Sequence, residues 1–67
     1  MQNNNQSNYQ GSELQKSIIA CNDSDKLGHK KGYISGALRY WNNKGDTMQI
    51  LFFQDAMQEI NDKINLI

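Results

Sequence analysis

Six apolar residues in the last third of the chain, Ile50, Phe53, Met57, Ile60, Ile64 and Ile67, keep a strict 3-4-3-4-3 spacing. That rhythm puts them on one stripe of a single α-helix, the seam by which a helix packs lengthwise on another. It predicts a helix from about Thr47 to Ile67, roughly 30 Å long at 1.5 Å per residue. The residue types of Met48–Phe53 also suit a buried strand, but the continuation of the seam to Ile67 favours the helix.

Upstream, Ser12-Glu13-Leu14-Gln15 fits a capping box, with Ser12 as N-cap and Gln15 reaching back. Leu14, Ile18 and Cys21 follow at helical spacing, which predicts a short helix from about Glu13 to Cys21. The cluster Asn22-Asp23-Ser24-Asp25 reads as a turn that supplies the next N-cap. Leu27, Ile34, Leu38 and Trp41 then fall within about 60° of one another around a second helix, flanked by Ala37 and Tyr33. This helix is expected to end near Trp41 or Asn42. Asn42–Asp46 reads as a break of about five residues, with Gly45 suited to a left-handed C′ position and Asp46 to an N-cap. So short a connection makes the two long helices antiparallel neighbours.

Helix three carries more apolar surface than one partner helix covers. Phe52 lies about 100° from the seam at helical periodicity, with Met48 and Leu66 on its flank, and Leu51 is on nearly the opposite face. Exposure of Met48, Leu51 and Phe52 together forfeits several kcal/mol, at roughly 1.5–3 kcal/mol for each large side chain. Either helix one or a second subunit must cover them. The expected architecture is therefore all-α: a short N-terminal helix and an antiparallel hairpin of two longer ones, self-associating into a helical bundle. Met48, Leu51, Phe52, Tyr40 and Trp41 are the expected oligomer or partner interface.

Composition supports that need for help. The first eleven residues, MQNNNQSNYQG, hold Tyr9 as the one large apolar side chain after Met1, which predicts a disordered Asn/Gln-rich tail and leaves 12–67 as a single small helical domain. Chains this short usually require disulfides, a metal or a partner. One cysteine and one histidine permit neither a disulfide nor a structural zinc. The lone thiol, with no apolar secretion signal and no membrane-length apolar run, fits a cytoplasmic location and no membrane partner.

Net charge is zero, which weighs against general nucleic-acid affinity. The charges are nevertheless segregated. Residues 12–25 carry a net −2, residues 26–45 carry +5 without an acid, and residues 46–67 carry −3. A basic second helix beside an acidic third one explains this by complementarity within the hairpin.

Gly28, Gly32 and Gly36 recur every fourth residue, and in a helix interior they cost roughly 2–3 kcal/mol together. Three readings stay open. Leu27–Gly32 is a loop with the helix starting near Tyr33; or the bare ridge admits another helix closely; or the segment, with His29, Lys30, Lys31 and Arg39, receives an anion such as a phosphate. It matches neither the Walker A nor the Rossmann spacing. Tyr40-Trp41 beside Arg39 also suits base stacking, though packing of Trp41 is the simpler reading. Asp55, Glu59 and Asp62 share a helix face, where a solvated or salt-bridged surface is commoner than a cation site. Cys21 has no paired base in the sequence. No catalytic set, metal site or cofactor is expected. The leading expectation is a small cytosolic protein-interaction module, a regulator, adaptor or inhibitor that works as a homo-oligomer. The alternatives are an oligomeric binder of a phosphate-bearing small molecule such as a nucleotide, and a nucleic-acid-binding regulator.

Overall fold

The computed structural model describes residues 8–67, and every regular element in that range is helical. Helix α1 is Glu13–Ala20, α2 is Ser24–Lys44 and α3 is Thr47–Leu66. Met48–Phe53 belongs to α3, so the strand alternative does not apply.

Each helix start is fixed by a local side-chain cap. The Ser12 hydroxyl accepts from the Gln15 N–H at 3.0 Å, while Gln15 Oε1 reaches back to the N–H of Gly11. The Asp23 carboxylate accepts from the N–H groups of Asp25 and Lys26, and Asp46 accepts from Gln49. Helix α1 stops one residue earlier than expected, with Cys21 as its cap. Helix α2 runs longer, to Lys44 rather than Trp41 or Asn42. Gly45, at φ 72°, donates to the carbonyls of Trp41 and Asn42, and Asp46 donates to Trp41. These paired bonds form a Schellman ending. Because Asp46 also caps α3, two residues suffice for the hairpin turn instead of five.

Leu27–Gly32 is helical, so the loop reading of the glycine segment fails. Leu27 and Ile34 are fully buried and pin the helix on either side of Gly28 and Gly32. Tertiary packing overrides the local propensity cost of the glycines.

Both other helices pack on α3. The core consists of Tyr9, Ile18, Leu27, Ile34, Phe53, Ala56 and Ile60. Of the seam, Phe53 and Ile60 are buried, while Ile50, Met57 and Ile64 are partly buried. Ile67 follows the end of α3 and is 60% exposed, so the seam stops at Ile64. Ala56, fully buried between Phe53 and Ile60, occupies a core position that a count of large side chains passes over.

Tyr9 is the largest departure. Placed in the tail by composition, it is 1% exposed. A turn over 9–12, closed by the Ser12 N–H on the Tyr9 carbonyl with Gly11 at φ 79°, folds it back onto α3. There its ring meets Phe52 edge-on at 5.6 Å. Residues 1–7 of that expected tail lie outside the described residues.

Candidate functional surface

Three surfaces remain once the core is assigned. The first surrounds the hairpin turn. Met48 in the first turn of α3 is 48% exposed and Tyr40 near the end of α2 is 53% exposed. Leu51 is partly buried. Trp41 packs on the core and meets Tyr40 edge-on at 4.9 Å, and the Lys44 ammonium lies 5.5 Å from the Tyr40 ring centre. The indole, partly buried, thus takes part in core packing. Phe52 is partly buried between Tyr9 and Phe53. Of the five expected interface residues, Met48 and Tyr40 are the open ones. Tyr33, exposed although its ring meets Phe53 edge-on with centroids 6.2 Å apart, adds an apolar group that periodicity places on the core flank.

The second surface is the outer side of α2. Gly28, His29, Lys31, Gly32, Gly36 and Arg39 are all exposed, and Lys30 is partly buried. A Cβ added at Gly28, Gly32 or Gly36 would meet nothing within 4 Å, so among the described residues nothing uses the ridge for close approach. Within a continuous helix the backbone N–H groups are already bonded to carbonyls one turn back. What an anion would meet here is therefore side chains alone.

The third is a cleft of about 360 Å³ where Tyr9 and Gln10 lie against Asp55, Glu59, Asp62 and Leu66 of α3. The Tyr9 hydroxyl donates to Glu59 Oε1 at 3.0 Å. Burial above all, then this bond and the negative charge of Glu59 and Asp55, holds the phenol protonated well above its ordinary value of 10. Gln58 donates to Asp62 at 3.1 Å, and Lys63 donates to the Ile19 carbonyl near the C-terminus of α1. Periodicity had not singled out this cleft, because Tyr9 comes to it from forty-six or more positions away in sequence. The glycine immediately before the Ser12 cap was the available sign of a turn there.

The remaining groups that carry chemistry lie apart. Cys21 is partly buried, and its thiol sits 3.6 Å from the Asp23 carbonyl. Among the described residues no group of three His, Cys, Asp or Glu side chains is placed to hold a metal ion. No helix in them is long and apolar enough to cross a membrane. The comparisons with known proteins add no template for these surfaces: no family model matches the chain, and no curated protein or solved structure matches it.

Proposed function

We propose that this chain is a non-catalytic protein-interaction module, a regulator, adaptor or inhibitor that works as a homo-oligomer. The observation that carries the reading is the set of large apolar side chains left open by so small a fold: Met48, Tyr40 and Tyr33 stand about half or more exposed, with Leu66 at 86%. Exposed apolar groups of this density mark association surfaces. Light scattering at micromolar concentration is expected to give a multiple of the 7.7 kDa chain mass. Met48→Asp and Leu51→Asp are each expected to shift that mass to the monomer while helical circular dichroism is retained. A stable folded monomer in the wild type overturns the proposal.

A second reading, an oligomeric binder of a phosphate-bearing small molecule, draws on the five cations of α2, none of which is in an ion pair among the described residues. It now rests on flexible side chains without backbone donors. Titration calorimetry with a nucleotide panel separates the two, since the leading reading expects no heat. The acidic residues of α3 and the zero net charge weigh against a nucleic-acid partner.

A further inference from the structure

The charges of this chain are sorted by helix and remain unpaired between helices. After its first-turn Asp25, α2 carries Lys26, Lys30, Lys31, Arg39 and Lys44, whereas α3 carries Asp55, Glu59 and Asp62 against Lys63. Complementarity within the hairpin would show as ion pairs between α2 and α3. Among the described residues the sole ion pair is Lys16–Glu13, within α1. Glu59 is engaged by Tyr9, Asp62 by the Gln58 amide and Lys63 by a carbonyl of α1.

Part of this charge lines two outward faces, while Lys26, Lys30 and Lys44 fall on the other side of α2 at helical periodicity. On α3, Met48, Leu51, Asp55, Gln58, Asp62 and Leu66 fall within an arc of about 80° at helical periodicity, on the side away from Phe53 and Ile60. All but Leu51 are exposed, and Asp55, Gln58, Asp62 and Leu66 also form one wall of the open cleft beside Tyr9 and Gln10. On α2, Gly28, Gly32, Ser35, Gly36 and Arg39 fall within about 100°, away from Leu27 and Ile34, with Lys31 beside them. These are exposed as well, and the glycine backbone is uncovered.

We propose that the acidic outer face of α3 in one copy lies along the glycine-rich basic outer face of α2 in the next, with Asp55 and Asp62 against Arg39 and Lys31. This rests on the self-association proposed above and names its two surfaces. The bare glycines let the helices approach closely, and the apolar ends of the α3 face, Met48 and Leu66, gain cover. A second copy is the occupant because this chain itself carries both halves of the complement. Each face points away from the core that α2 and α3 share, so the two lie on opposite sides of the hairpin. The contact is therefore heterologous, of the kind that closes into a ring or propagates.

The test is a charge exchange read by light scattering. Variant one carries Lys31→Glu and Arg39→Glu; variant two carries Asp55→Lys and Asp62→Lys. Each alone sets like charges against each other and is expected to self-associate at least about tenfold more weakly than wild type. Their equimolar mixture is expected to reassemble, and the wild-type assembly to weaken between about 0.1 M and about 1 M salt. All four positions are exposed, and helical circular dichroism checks that both variants fold. A wild-type assembly left unchanged by both reversals overturns this inference alone. Dissociation of the variants without recovery on mixing overturns it too. A wild type that is monomeric at every salt concentration overturns the self-association reading and this inference with it.

Discussion

Helices α2 and α3 are nearly equal in length, 21 and 20 residues, yet they take opposite places in the fold. Helix α3 has α1 and the Tyr9 turn against one flank and α2 against the other, and it buries Phe53, Ala56 and Ile60. Helix α2 fully buries Leu27 and Ile34 and turns a side of glycine, serine and cations outward. The difference shows how three interior glycines persist in one continuous helix. Its buried edge supplies the packing that holds it helical, and the bare side is not asked to form core.

The largest expected effect tests whether the Tyr9 flank is as firm as the α2 flank. Tyr9→Ala is expected to destabilise by about 3–5 kcal/mol, the range for truncating a buried aromatic. A denaturant titration showing a loss below about 1 kcal/mol would place Tyr9 outside the cooperative core. Next in size is the outer side of α2. Replacing Gly28, Gly32 and Gly36 together by alanine is expected to stabilise the folded monomer by roughly 2–3 kcal/mol, since each new methyl enters open space. If that ridge receives a second copy, the same variant self-associates more weakly, and a rise in both stability and association would count against close helix approach.

The smallest effect concerns pH. Folding raises the Tyr9 pKa, so its contribution is complete below the unfolded value of about 10 and is lost as pH climbs past it. Unfolding midpoints measured from neutral pH upward should fall on the alkaline side, and Tyr9→Phe should flatten that fall. An unchanged alkaline slope in the variant would assign the effect to other groups.

The parts of the fold legible in the sequence are those decided by neighbours. Ser12, Asp23 and Asp46 reveal helix starts because their side chains bond N–H groups two or three positions on. Gly45 marks the turn because it must take a positive φ. The seam from Ile50 to Ile64 reveals the buried side of α3. Tyr9 was hidden because its partners, Phe52 and Glu59, are remote in sequence and its neighbours are asparagine, glutamine and glycine. Helix through Gly28 and Gly32 was hidden because local propensity and distant burial oppose each other there. Phe52 of the expected interface packs edge-on against Tyr9, a contact that periodicity within α3 does not show.

The Tyr9–Glu59 bond joins positions fifty apart, whereas the α2–α3 hairpin closes over two residues at its turn. Closing a loop costs entropy that grows with its length. The hairpin is therefore the cheaper contact to close, and the Tyr9 turn is expected to dock after it, as a latch. A latch that docks last is expected to open first, which makes the turn over 9–12 the expected site of early proteolysis within 8–67.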